Sequence, residues 1–249
     1  MKKDADAPRR AAKTTRPRWL PATTADGHRR GYAGRSADEL MQERRQRLLE
    51  AGLGLFTARG YHKTPIELIC SEARVTTRHF YEQFDSREAL LLAVYDDAVA
   101  YTRRFLREAI SRPAGSASER IANAIRALVR AYAEEPRYGR IACIEVIGVS
   151  PELERHRRAV IHQFASVVEA HAEQLAQAGE VPQRNYHLSC VALMGAVNEL
   201  LTEWLSAAEP PSPQALTDEM LSLLQAMILG AQAHVPDLMR GRRLTARTP

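Results

Sequence analysis

From Ser36 onward, apolar residues recur at every third or fourth position, a period that predicts helices and little else. Ser36 and Glu39 form a capping box opening a first helix, whose Leu48, Leu49, Gly52, Leu55 and Phe56 share one face as far as about Arg59. Gly60 stops it. Thr64, Pro65 and Glu67 read as cap, N1 proline and N3 acid of a short second helix, which carries Ile66, Leu68 and Ile69 inward and ends near Ala73. Thr76 caps a third helix, Thr77 to Phe84. Asp85 with Glu88 caps a long fourth that runs to about Ser111 with Leu90, Leu91, Val94, Ala98, Tyr101 and Phe105 on its buried face.

Five more helices follow by the same signals. Ser116 with Glu119 opens the fifth, to about Glu134, and Pro136 breaks the chain before a short sixth from Arg137 to Ile147. Ser150, Pro151 and Glu152 open a seventh reaching about Gly179; Pro182 precedes an eighth from Asn185 to Ala207; Ser212 with Pro213 caps a ninth to about Ala233. No stretch alternates with period two over a strand's length, so the fold class expected is all-α, with about nine helices. The longest uninterrupted apolar run, Cys190 to Val197, stops at Asn198, so no membrane span is expected.

Charge changes this picture at the N-terminus. Of the 35 Lys and Arg and 30 Asp and Glu in 249 residues, ten basic and three acidic side chains fall within residues 1 to 35, a surplus of seven in a chain whose net charge is +5. The rest of the chain therefore carries −2. With Pro8, Pro17 and Pro21 and no hydrophobic period, this arm reads as disordered. It suits a polyanion partner as well as it suits a solubilising role. Three scattered cysteines, 70, 143 and 190, and the lack of an apolar leader segment point to a reducing, cytoplasmic setting. The organisation expected is a disordered basic arm over 1-35, a helix-turn-helix DNA-binding domain over 36-86, a helical ligand-binding and dimerisation domain over 87-235, and a basic tail over 236-249 containing Arg240, Arg242, Arg243 and Arg247.

The helix-turn-helix assignment comes from residues 45 to 90. Two short helices joined by a tight turn, the second rich in Thr, Arg and His, meet the steric demand of the major groove. On the second of them Phe80 and Phe84 turn inward while Thr77, Arg78 and Tyr81 face out, and the Arg78 guanidinium can bond guanine O6 and N7 together.

Leu48-Leu49, Ala51, Leu55-Phe56, Gly60-Tyr61, Thr64, Ile66, Ile69, Ala73, Val75-Thr76, Phe80-Tyr81, Phe84 and Ser86-Arg87-Glu88 together resemble the DNA-binding domain of the TetR family. The resemblance implies an all-helical homodimer that represses transcription and leaves DNA when a small ligand binds. It makes Thr64, Tyr81 and Arg87 phosphate contacts and places Thr77, Arg78 and His79 nearest the bases, with Lys63 and Thr76 beside them. Where the family's turn has Gly, this chain has Arg74; if that position keeps positive φ, Arg costs about 1 kcal/mol, unless the turn differs or Arg74 contacts DNA.

The remaining helices offer an apolar site for a small-molecule effector, with Tyr101, Phe105, Tyr132, Cys143, Phe164, Met194 and Asn198 as its candidate lining. A ligand between the fourth and seventh helices would tilt the fourth and shift the reading helices. Small residues Ala192, Gly195 and Ala196 on the eighth helix, with Leu216, Met220, Leu223, Leu224, Met227 and Ile228 on the ninth, suit a homodimer through those two helices. No catalytic motif is present: no Glu-x-x-His, Gly-x-Ser-x-Gly, P-loop or Cys-x-x-Cys. His187 and Cys190 are too few ligands for a metal, and no cofactor is expected. The reading is a ligand-responsive regulator of double-stranded DNA acting on a palindromic operator; the alternative is a constitutive or architectural DNA-binding protein whose bundle only dimerises.

Overall fold

A computed structural model describes residues 36–111 and 116–232; the basic arm and the C-terminal tail lie outside the described residues. The chain divides into two units, Met1–Met41 and Gln42–Pro249. Of the first, the described residues begin helix α1. Ser36 N–H donates to Glu39 Oε2 (2.6 Å) and Glu39 N–H to Ser36 Oγ (3.1 Å), the reciprocal capping box expected.

Among the described residues the elements are α1 (Ala37–Arg59), α2 (Ile66–Ala73), α3 (Thr77–Tyr81), α4 (Arg87–Ser111), α5 (Ala117–Glu134), α6 (Pro136–Arg140) continued by a π-helical turn (Ile141–Glu145), α7 (Pro151–Gln177), α8 (His187–Ser206) and α9 (Pro213–Gln232). No strand is present among them, and the all-α class holds. Side-chain caps account for most of the helix starts: Ser116 accepts from Glu119 N–H, Ser150 from Leu153 N–H and Ser212 from Ala215 N–H, each at 3.1 Å.

Three local expectations are corrected. Thr64 does not cap α2; Pro65 occupies the N-cap without a side-chain bond, and the Thr64 hydroxyl donates back to Gly60 O (2.8 Å). The cap of α4 is Ser86, accepting from Ala89 N–H (3.0 Å), rather than Asp85. The third helix ends at Tyr81, three residues early, because Phe84 must turn back onto Phe80, its ring 5.9 Å away.

Two buried clusters carry the architecture. The first joins Leu48, Phe56, Ile69 and Phe80 of α1 to α3, and Phe84 just after α3, to Leu90, Leu91 and Val94 of α4, and continues to Ile141, Val146 and Leu153. The second fills the space between α4, α5, α8 and α9 around Val129, Tyr132, Val197, Leu201, Trp204 and Met220. α4 is common to both, packing on α5 along its length. A smaller distal cluster holds Ala165, Leu175, Val181, Tyr186 and Cys190 between α7 and α8.

Gly139 permits the close approach of α6 to α8, since a Cβ there would lie 2.9 Å from Leu205 Cδ1 and 3.0 Å from Tyr132 Cγ. α8 is, by length and composition, apolar enough to cross a membrane, although Asn198 and Glu199 interrupt its apolar run. Its Cys190, Leu193, Val197, Leu201 and Trp204 are buried in the bundle, and the flank carrying Leu188, Ala192, Gly195, Glu199 and Glu203 is turned outward.

Candidate functional site

Helix α3 is built from both ends. Thr76 Oγ1 accepts from His79 N–H (3.3 Å) and also meets His79 Nδ1 (3.0 Å), which fixes the imidazole against the cap. Phe80 is fully buried and anchors the opposite face, so Thr77, Arg78 and Tyr81 are presented outward as expected. The Arg78 side chain is 88% exposed and lies 3.1 Å from Glu82 Oε1, one turn along. Lys63 and Arg74, which flank α2 in the chain, are exposed as well.

Arg74 adopts φ 54°, ψ 47°, the left-handed cap that closes α2 with Val75 N–H on Cys70 O (3.0 Å). The turn therefore keeps the positive φ that favours glycine, at a cost of about 1 kcal/mol for arginine. Arg87 ties the start of α4 to the loop after α1. Its Nη1 donates to Thr64 O (3.0 Å) while the guanidinium lies 4.2 Å from the Tyr61 ring centroid. Thr64 is a correction among the predicted contacts. Its side chain is fully buried with its hydroxyl engaged by Gly60 O, so it shapes this loop rather than facing a phosphate. Arg45, which carries no sequence signal for such a role, stacks 4.5 Å from the Phe84 ring centroid and donates to Gln83 O (3.4 Å), bracing the turn between α3 and α4 from α1.

Deeper in the chain, α4, α5, α7, α8 and the π-helical turn enclose an apolar cavity of about 90 Å³. Tyr132, Cys143, Phe164, Met194 and Asn198 line it as expected. Tyr101 and Phe105 do not: their rings pack on each other (4.9 Å), Tyr101 on Tyr138 (4.8 Å), and Arg104 and Arg130 cover them at 5.0 Å. The face of α4 that does line it carries Tyr95, Val99, Thr102 and Leu106, a stripe at helical spacing readable from the sequence one position away from the one chosen. Arg157 carries no such signal. It reaches the lining while Glu154 holds it in a two-point pair (2.7 and 3.1 Å), which lowers the Glu154 carboxyl and raises the guanidinium.

Beyond Arg157, polar groups in this wall are few and stay neutral. Thr102 Oγ1, which donates to Ala98 O (2.9 Å), shares a hydrogen bond with the Tyr132 hydroxyl (3.2 Å). Burial pushes both the Tyr95 and Tyr132 phenols up, and pushes the Cys143 thiol up to about 12. The cavity therefore selects for apolar surface with one or two hydrogen-bonding groups. His187 faces Glu169 (Nδ1 to Oε2, 3.1 Å) rather than joining Cys190, and no group of three metal-ligating side chains occurs among the described residues.

Comparison with known proteins agrees with this geometry. Residues 48–94 match the family described as bacterial regulatory proteins, tetR family, and residues 114–228 match the tetracyclin repressor-like C-terminal domain. The fatty acid metabolism regulator protein of Bacillus subtilis is 20% identical over 178 residues, covering 71% of this chain and 91% of that protein. A regulatory protein of the tetR family from Rhodococcus RHA1 superimposes with TM-score 0.63 at 19% identity, covering 77% of this chain and 98% of that one. The transcriptional regulator FadR of Bacillus subtilis, solved in complex with stearoyl-CoA, gives TM-score 0.63 at 19% identity over 72% of this chain and 96% of that one. On the N-terminal helix-turn-helix, the C-terminal helical domain and these two matched regions, the chain belongs to the TetR family of DNA-binding transcription regulators.

Proposed function

We propose that the protein is a homodimeric, ligand-responsive repressor that reads a palindromic operator through α3 and leaves it when an apolar effector, with an acyl thioester as the favoured class, fills the cavity beside α4. The observation that carries this reading is the continuity of α4: Leu90 and Leu91 sit in the core of the reading domain, while Tyr95, Val99, Thr102 and Leu106 line the cavity. An occupant that spreads the cavity displaces the helix on which the reading head is mounted. The acyl class is supported by the nearly all-apolar lining and by the stearoyl-CoA bound to a protein of the same fold. Arg157 in the wall, with Arg103 on α4 bonded to Gln163 of α7, supplies cations for an anionic head group.

Dimerisation is supported by the outward flanks of α8 and α9, where Leu188 and Leu229 are exposed among Ala192, Gly195 and Ala226. Small residues let two such helices approach a symmetry mate closely.

The test is calorimetric. Operator duplex recovered by selection from random DNA is titrated into the protein with and without palmitoyl-CoA. Linkage requires the ligand to weaken operator binding and the operator to weaken ligand binding by the same factor. Equal affinities in both states would refute the repressor reading, and salt-sensitive binding without sequence preference would favour the architectural alternative.

A further inference from the structure

A second apolar cavity, of about 190 Å³, lies between α5, α7, α8 and α9 and is lined by Ile121, Val168, Leu175, Cys190, Leu193 and Met227 among others. Its walls continue those of the first. On α7, Phe164 lines the first cavity and Val168, one turn on, the second; on α8, Met194 and Val197 line the first and Cys190 and Leu193 the second; on α5, Leu128 lines the first and Ile121 the second. Leu193 and Val168 line the second cavity, and both belong with the buried Ile125, which stands on α5 between Ile121 and Leu128, to one apolar cluster.

We infer that the two cavities form one channel closed at rest by Ile125, Val168 and Leu193, and that this septum sets the length of acyl chain to which the protein responds. The inference rests on the proposed acyl effector. At about 90 Å³ the first cavity is short of what a long chain needs, and the second adds about twice that volume. From Val160 to Leu175 the linings follow α7 for about 22 Å of helical rise. An extended chain advances about 1.2 Å per bond, so that distance holds about eighteen atoms in line. Rotation of Leu193 about its side-chain bonds, which shifts its methyl groups between alternative staggered positions, is the motion that opens the septum.

The second cavity also fits a hydrocarbon terminus. Its lining includes Ile121, Leu224, Met227 and Ile228, while Arg184 and Ser189, which also line it, bond each other (3.4 Å) with the Arg184 guanidinium 4.5 Å from the Tyr186 ring centroid. A tail reaching this depth meets apolar side chains; an anionic head group stays at the first cavity with Arg157.

The experiment titrates the full-length dimer calorimetrically with octanoyl-, dodecanoyl- and palmitoyl-CoA, for the wild type and for Leu193→Trp, which plugs the septum, and Leu193→Ala, which opens it. Each added methylene that finds apolar contact strengthens binding, so palmitoyl-CoA is expected to bind at least about tenfold tighter than octanoyl-CoA in the wild type. Leu193→Trp is expected to abolish that increment while leaving octanoyl-CoA within about threefold, and Leu193→Ala to preserve it. Flat affinity across the three chains, or an unchanged increment in Leu193→Trp, overturns the channel while leaving the effector class standing. Failure of all three thioesters to bind any variant overturns the effector class, and the channel with it. Should Leu193→Trp not fold, the increment surviving in a folded Cys190→Trp variant, whose indole fills the second cavity, overturns the channel equally.

Discussion

Glu145 Oε2 accepts the backbone N–H of Tyr61 at 3.2 Å, joining the end of the π-helical turn to the loop between α1 and α2. The same carboxylate lies 3.8 Å from Arg140, whose Nη1 donates to Leu205 O on α8 (3.1 Å). Ala142 and Cys143, shortly before Glu145 in the same turn, line the cavity beside α4. One irregular turn thus touches the cavity, the bundle and the reading domain, a placement common for π-helical turns in functional regions. Thr202 Oγ1 adds a contact to Cys143 O (3.3 Å), holding the turn to α8 as well.

Glu145→Ala leaves the Tyr61 N–H without its partner and removes the carboxylate from Arg140. A loss of about 1 to 3 kcal/mol is expected, because the Tyr61 amide is then desolvated without compensation. Glu145→Gln retains an acceptor oxygen and should lose less than half as much. Urea unfolding of the two variants checks the order, and equal losses would show that the amide bond is immaterial.

Arg78→Ala should weaken operator binding by about 1 to 3 kcal/mol and relax preference at one position in each half-site, while leaving the melting temperature unaltered. Glu82→Gln removes the carboxylate that competes with DNA for Arg78, 3.1 Å away, and should tighten binding severalfold. Binding to a panel of single-base operator variants separates the two effects.

Arg74→Gly should raise stability by about 1 kcal/mol, since the residue holds φ 54° and glycine meets no Cβ strain there. In a chain of this size, that corresponds to a rise in Tm of roughly 2 to 4 °C. A fall in operator affinity in the same variant, steeper at low salt, would assign Arg74 a phosphate contact.

Ala192→Glu places a carboxylate on the exposed flank of α8, which in the proposed dimer through α8 and α9 would face its own copy across a two-fold axis. Sedimentation should then report monomer at concentrations where the parent is dimeric, with the helical content unchanged. Persistence of the dimer would move the interface away from α8.

The buried Cys143 thiol, pushed up to about 12 from an ordinary 9.0, keeps its proton in the folded chain over a range in which the unfolded chain releases it. Its contribution to stability is complete below pH 9 and is lost as pH rises toward 12. The folded protein should accordingly leave Cys143 unmodified by a thiol reagent at pH 8, and react there only on unfolding.

Most helix starts and the outward face of α3 were legible in the sequence because both depend on neighbours a few positions apart, the caps of α2 and α4 being the exceptions. Ser36 finds Glu39, Thr76 finds His79, and Phe80 anchors a helix whose opposite face bears Thr77 and Arg78. A period of 3.6 residues leaves no other arrangement of those groups. The same periodicity could not choose between two adjacent stripes of α4, which is why Tyr101 and Phe105 were expected in the cavity and Tyr95 and Thr102 occupy it. That choice belongs to the packing of α5 and α7 against α4, made by residues far away in the chain. The bond from Tyr61 to Glu145, the burial of Thr64 and the two cavities between the helices are likewise products of tertiary packing. Local chemistry determined what each helix is and which side chains α3 presents outward; only the closing of the bundle decided which apolar faces meet and which leave a cavity between them.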